Sequence, residues 1–289
     1  VAERVSVVRA SYGAEIVAYV VDPPRAPKAG APTVVLAHGW CMDHTSWHRV
    51  VDEVHRRRDV RVVLYDQRGH GRSAMGDIDE PSVRILGDDL FEVIHALCSD
   101  TPLVLAGHSM GGMSIMAYAG LHKDDFVARV RGAVLASTAA SIEGRQAVPA
   151  ERLIMALASR APGISPRILV PRLVQGRLIF GDDARAEDVK HAVHQIQHTK
   201  MPTIGRFFYA ISKHDELDAL GHFVDVPTHV IAGTADRLIP IDHARALLDR
   251  IPSAKMTELK GAGHMTTYEG DRVIASAIID LLDRKPKKR

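Results

Sequence analysis

At 289 residues, with 46% hydrophobic and 25% charged residues and a formal net charge of +2, the chain can bury one large core, or a core carrying an insertion. That balance gives no case for nucleic acid or a membrane surface as the main partner, and two cysteines, Cys41 and Cys98, make no disulfide framework. No apolar run approaches about 18 residues, and Val1-Ala2-Glu3-Arg4 lacks a charged-then-apolar leader pattern, so no stable membrane insertion and a cytoplasmic location are expected.

Residues 4–9 and 15–21 are rich in Val with Tyr12-Gly13 between them, which predicts an antiparallel hairpin. A proline-rich connection from Pro23 to Pro32 leads to Thr33-Val34-Val35-Leu36-Ala37, a continuous apolar run expected of a strand buried on both faces. The loop His38-Gly39-Trp40-Cys41 follows, then a helix around His44 to Arg57 and a second buried strand from Val60 to Tyr65. That strand ends in Asp66-Gln67-Arg68-Gly69-His70-Gly71-Arg72-Ser73. Ser82 is placed to cap a helix in which Val83, Leu86, Leu90, Val93 and Leu97 recur along one face.

Leu103 to Ala106 is the next strand, Gly107-His108-Ser109-Met110-Gly111 a tight turn, and Met113 to His122 a helix. A G-x-S-x-G turn between strand and helix is a nucleophile elbow, in which the serine takes a strained backbone conformation and its neighbours must be small. The helix start aims unpaired N–H groups at the hydroxyl, with the amide of Met110 placed to stabilise an oxyanion. A strand from Ala133 to Ser137 closes the first half, and strand and helix have by then alternated three times, the pattern of a parallel sheet with helices on both faces.

From about 140 to 222 the alternation stops. Helical pieces around Glu151–Arg160, Leu169–Gln175, Ala186–His198 and Thr203–Ser212 are broken by Pro162, Pro166 and Pro202, and read as a helical insertion folded over the strand ends. The sheet resumes with Thr228 to Ala232, a helix from about Asp242 to Arg250, a strand Ala254 to Leu259 and a last helix from about Gly270 to Asp283. The basic tail, Arg284 to Arg289, reads as a solvated terminus. The expected division is a core of residues 1–139 and 223–289 with a cap of 140–222 inserted in it.

Two loops complete the chemistry. Ala232-Gly233-Thr234-Ala235-Asp236-Arg237 follows one late strand and Gly261-Ala262-Gly263-His264-Met265 the last, and in a parallel sheet both leave at the same edge as the Ser109 turn. The order Ser109, Asp236, His264, together with the elbow, resembles the α/β-hydrolase fold family of esterase- and lipase-like serine hydrolases. The resemblance runs from about residue 33 to the end and is least specific in the insertion. It implies a mostly parallel central sheet with helices on both faces and a helical cap. It puts Ser109 where the nucleophile sits, Asp236 where the acid sits and His264 where the base sits, with the amides of Trp40 and Met110 as the oxyanion donors.

Each role has a physical requirement. A serine hydroxyl is a poor nucleophile until a base takes its proton, an imidazole titrates near neutrality and can later return that proton, and a carboxylate fixes the imidazole's tautomer. The implied function is cleavage of a carboxylic ester, or related acyl bond, of a small apolar substrate, with neither cofactor nor metal. Two other readings stay open. His38-Gly39-Trp40 and the elbow also resemble cofactor-free haloperoxidases, which run perhydrolysis on the same triad, and some proteins of this fold are ligand receptors. Epoxide hydrolases and haloalkane dehalogenases of this fold carry Asp at the elbow where this chain has Ser109.

Competing residues have plainer readings. His108 is expected to point away from the nucleophile, Asp66 to fix a loop and Cys41 to be an inert small side chain. His191, His194 and His198 share a helical face opposite Val189, Val193 and Ile196, with no carboxylate or cysteine at ligand spacing to make a metal site. Apolar residues in the insertion (Leu153, Ile154 and Leu157; Ile168, Leu169, Leu173 and Val174; Phe207, Phe208 and Ile211) are expected mostly to dock it on the core and in part to line a cleft over Ser109.

Overall fold

Strand β3 (Thr33–Ala37) shows how the sequence builds the sheet. All five residues are buried, with Val35 and Ala37 on one face and Val34 and Leu36 on the other. The computed structural model describes residues 3–142, 149–161, 163, 176 and 178–284. Around β3 lie β1 (Glu3–Arg9), β2 (Glu15–Val21), β4 (Val62–Tyr65), β5 (Leu103–His108), β6 (Val130–Ala136), β7 (Thr228–Gly233) and β8 (Lys255–Leu259). They form one eight-stranded sheet in the order β1-β2-β4-β3-β5-β6-β7-β8. Strand β2 is antiparallel to β1 and β4, and β3 to β8 pair in parallel.

Helices cover both faces. α1 (His48–His55) packs beside the last helix, whose Ile274, Ile278 and Leu281 join Val50 and Val54 in one core. α2 (Val83–Leu97) and α3 (Met110–Leu121) build the other core with Leu86, Leu90, Val93, Met113 and Met116. Ser82 caps α2, its hydroxyl accepting from the Ile85 N–H. The structure adds α4 (Lys123–Arg129) before β6, which therefore starts at Val130 rather than Ala133. α4 is two turns with one buried residue, Phe126, too short for a periodic stripe; its acidic first turn, Asp124-Asp125, was the available signal.

Beyond β6 come α5 (Pro149–Arg160), α6 (Ala186–His198) and α7 (Met201–Ser212), then a 3-10 turn over Asp218–Phe223. The expected helix Leu169–Gln175 and the tail beyond Arg284 lie outside the described residues. The two ends of this stretch meet: Ser141 and Asp215 form an antiparallel bridge, and the Glu216 N–H donates to the Ala140 carbonyl at 2.8 Å. α8 (Ile241–Arg250) links β7 to β8, and the final helical stretch divides into α9 (Thr266–Glu269) and α10 (Asp271–Asp283). Among the described residues no helix is long and apolar enough to cross a membrane.

One expectation about the insertion fails. Leu153, Ile154 and Leu157 of α5 are exposed at 63%, 57% and 66%, so these side chains are not buried against the core, whereas Phe207 and Phe208 of α7 are buried. Helical spacing shows that a helix has an apolar face, and carries no information on what meets it. Ile168, Leu169, Leu173 and Val174 lie outside the described residues.

Candidate active site

Ser109 sits between β5 and α3 with φ 53° and ψ −120°, a conformation costing a non-glycine residue about 1–3 kcal/mol. Its surroundings hold it there. The Ser109 N–H donates to the Ala136 carbonyl at 2.9 Å, and its carbonyl accepts from Gly112 N–H and the Thr138 hydroxyl. The flanking glycines are a matter of space: a Cβ on Gly111 would lie 2.1 Å from the Ala37 carbonyl oxygen, and one on Gly107 would lie 2.5 Å from the backbone of Gly111.

The loops after β7 and β8 bring Asp236 and His264 to this turn. His264 Nε2 lies 2.9 Å from Ser109 Oγ, and His264 Nδ1 lies 2.8 Å from Asp236 Oδ2. The carboxylate accepts a hydrogen bond from Nδ1–H, which fixes the proton there and leaves the Nε2 lone pair for the serine hydroxyl. The other Asp236 oxygen accepts the N–H groups of Leu238 and Ile239, each at 2.9 Å. Burial pushes the Asp236 carboxyl up, but His264 and these two donors outweigh it and hold the group below the usual carboxylate range. All three side chains are buried.

Met110 follows the serine in the chain, and Trp40 follows Gly39, whose backbone lies against the Ser109 side chain. Neither backbone N–H has an acceptor among the described residues, which leaves both available to a developing oxyanion. The loop carrying Trp40 is fixed from beneath. His38 Nε2 accepts the Gln67 N–H at 2.8 Å, the Gln67 side chain donates to the His38 carbonyl, and Ser114 Oγ reaches Gln67 Oε1 at 2.7 Å. Over it, the Trp40 ring faces Phe208 of α7 at 6.2 Å between centroids.

Asp66 is not brought to His264. It is wholly buried and accepts four hydrogen bonds, from Tyr19 Oη, the Arg72 N–H, and both the N–H and Nδ1 of His44. Burial pushes its carboxyl up, but the bonds from His44 and the nearby His38 bring it down to about 2. Cys41 is buried, and burial pushes its thiol well above the ordinary range, as an inert side chain requires. His191 is engaged by Thr45 Oγ1 at 3.1 Å, while His194 and His198 are exposed and stack on each other at 3.7 Å. Two contacts were not foreseen. His108 Nε2 lies 2.8 Å from the His264 carbonyl, and the Ile179 carbonyl accepts the His264 N–H at 2.8 Å. Backbone carbonyls leave no residue signature, so nothing in the sequence marked either one.

A family model described as serine aminopeptidase, S33, matches residues 28–271. A monoacylglycerol lipase of Mycolicibacterium smegmatis is 26% identical over 262 residues, covering 89% of this chain and 85% of that protein. A 3-oxoadipate enol-lactonase of Acinetobacter baylyi is 25% identical over 241 residues, covering 83% of this chain and 84% of its own length. Among solved structures, the enol-lactonase of Burkholderia xenovorans LB400 superposes with a TM-score of 0.79 at 24% identity, covering 97% of this chain and all of that one. The family match spans most of the chain and falls on the sheet and turn just described: the protein is a hydrolase of the serine aminopeptidase S33 family, with the α/β-hydrolase fold.

Proposed function

We propose that the protein cleaves a carboxylic ester of a small, uncharged, apolar molecule through an acyl-enzyme on Ser109. The observation that carries this reading is the unbroken line Ser109 Oγ–His264 Nε2 and His264 Nδ1–Asp236 Oδ2, at 2.9 and 2.8 Å, ending at the strained turn. Ser109 Oγ attacks the ester carbonyl as its proton passes to His264 Nε2. The carbonyl oxygen becomes an oxyanion facing the N–H groups of Trp40 and Met110, each such donor being worth about 3 kcal/mol. Collapse breaks the bond to the alcohol oxygen, which takes the proton from His264. Water then repeats the sequence against the acyl group, and a carboxylic acid leaves. Asp236 holds the imidazole in the required tautomer throughout.

The names of two relatives, a monoacylglycerol lipase and an enol-lactonase, both point to acyl–oxygen bonds, which supports ester over amide cleavage. We assign residues 140–222 as a cap on a core of 1–139 and 223–289, on the strength of the joined ends at Ser141 and Asp215. Phe208, packed on Trp40, is the cap residue that brings apolar surface to the oxyanion loop.

A fluorophosphonate should add one label per chain, on the peptide containing Ser109, and none to Ser109→Ala. A panel of p-nitrophenyl esters should show many turnovers per labelled site. A label that persists in Ser109→Ala sinks the assignment. Binding with a single turnover marks a receptor, and peroxide-dependent turnover far above hydrolysis marks a perhydrolase.

A further inference from the structure

The loop that carries His264 is held from behind by a stretch that precedes α6. The Ile179 carbonyl accepts the N–H groups of His264 and Met265, at 2.8 and 3.1 Å. Phe180 joins Met42, Ala192, Met265 and Tyr268 in a small apolar cluster. The backbones touch so closely that a Cβ on Gly181 would lie 1.9 Å from the Gly261 carbonyl oxygen, and one on Gly263 would lie 2.5 Å from the Phe180 carbonyl carbon. Glu269, the last residue of α9, fastens the two. Its Oε1 accepts the N–H of Gly181 at 2.8 Å and that of Gly263 at 3.1 Å, and its Oε2 lies 3.0 Å from the same Gly263 nitrogen.

We propose that Glu269 is a positioning residue: its carboxylate locks residues 179–181 onto 261–264 and so sets His264 Nε2 at its distance from Ser109 Oγ. The inference rests on His264 acting as the base. The peptide unit that Glu269 grips joins Ala262 to Gly263, one residue before His264, so turning that unit shifts the backbone that carries the imidazole. Two backbone N–H groups converging on one carboxylate make a short, charge-assisted clamp, and neither amide has another acceptor among the described residues. The positional tolerance is small, since a misplacement of about 1 Å costs about 10²-fold in rate.

The test uses Glu269→Leu, Glu269→Asp and Glu269→Gln in the full chain, with kcat counted per phosphonate-titrated site. Glu269→Leu should lose about 10- to 100-fold in kcat with KM changed by less than about twofold, since misalignment acts on the chemical step. Glu269→Asp, which keeps the charge but withdraws the oxygens by a methylene, should lose about 10-fold. Glu269→Gln keeps an acceptor at the shared position and should remain within about threefold of the parent chain. If Glu269→Leu does not fold, the Asp and Gln pair carries the comparison. An unchanged kcat per site in Asp, a KM that rises while kcat holds, or a Gln variant as slow as Asp would overturn the proposal. A parent chain that neither takes the phosphonate on Ser109 nor turns over esters would sink the hydrolytic reading instead.

Discussion

His108, the residue immediately before the nucleophile, donates its Nε2–H to the backbone carbonyl of His264 at 2.8 Å. The elbow and the histidine loop are thus tied together by a bond independent of the Ser109–His264 contact. Burial and the nearby His264 ring push the His108 imidazole down to about 3, so it stays neutral and can donate from one nitrogen only. Replacing it by Phe keeps the bulk and removes the donor. His108→Phe should destabilise the fold by about 1–3 kcal/mol, the cost of an unsatisfied buried carbonyl, and should lower kcat more than it raises KM. Urea unfolding and steady-state kinetics read the two effects, and no change in either would show the bond to be incidental.

Asp236 and Asp66 are both buried carboxylates at strand ends, and their replacement should separate activity from stability. Asp236→Asn should lower kcat by about 10³-fold or more with the melting temperature nearly kept. Asp66→Asn should cost about 3 kcal/mol of stability, because the amide repels some of the donors that the carboxylate satisfies, while residual kcat per labelled site stays close to that of the parent. Were Asp66→Asn the dead enzyme and Asp236→Asn the active one, the acid would be misassigned.

Acid should unfold this chain earlier than its carboxylates alone would require. Burial pushes the imidazoles of His38, His70, His108 and His214 down, to about 3 for His70 and His108 and to about 4 for His214. In the unfolded chain each titrates near about 6.5. The folded values lie below the unfolded one, so between about 6.5 and 4 the unfolded state binds protons that the folded state refuses, and stability falls as pH falls. Each such residue removes up to about 1.4 kcal/mol per pH unit in that window. Asp66, held at about 2, adds its own loss only below the ordinary carboxylate range. Denaturant midpoints at a series of pH values from neutral to mildly acidic test this, and a flat profile would contradict it.

Substrate length should be read by Phe208 rather than by α5. Each buried CH₂ is worth about 0.8 kcal/mol, close to fourfold in kcat/KM while the pocket lasts. Phe208→Ala should move the optimum of a p-nitrophenyl ester series toward longer acyl chains. Leu157→Ala, at a side chain 66% exposed, should leave the profile where it was. The reverse pattern would place the acyl pocket under α5.

Chelation should leave the rate unchanged. Among the described residues His191, His194 and His198 do not offer ligand atoms to a common point; the groups that do are Asp43, His44 and Asp66, and Glu3, His44 and His48. In the first of these, both carboxylates already accept several protein donors. A rate lost to EDTA and restored by zinc would refute this.

What the sequence made legible follows from which forces leave a mark on residue type. β3 was readable to the residue because a strand buried on both faces must be continuously apolar, and Pro32 and His38-Gly39 bound it. That Ser109, Asp236 and His264 would meet at one edge of the sheet was legible because each follows the end of a parallel strand, with glycines where backbones crowd. The outward face of α5 was not, since Leu153, Ile154 and Leu157 have the spacing of a docked helix. Nor were the supports of the histidine loop: Ile179 acts through its carbonyl, and any residue type supplies one.

The bridge between Ser141 and Asp215 gives the helical segment a single point of departure and return. A segment so attached is a natural unit of exchange, since lengthening or replacing it leaves the sheet's connectivity untouched and adds only slowly to the entropy of closing the loop. This chain limits that freedom in one place. Residues 179–181 travel with the segment, yet they support the loop of His264. A recombinant given a foreign segment would keep its sheet and its three buried side chains and still be slow, unless the newcomer brought its own support for the histidine. The chain should therefore tolerate change at the exposed side chains of α5 and resist any shift of the backbone at 179–181, even though both belong to the same excursion from the sheet.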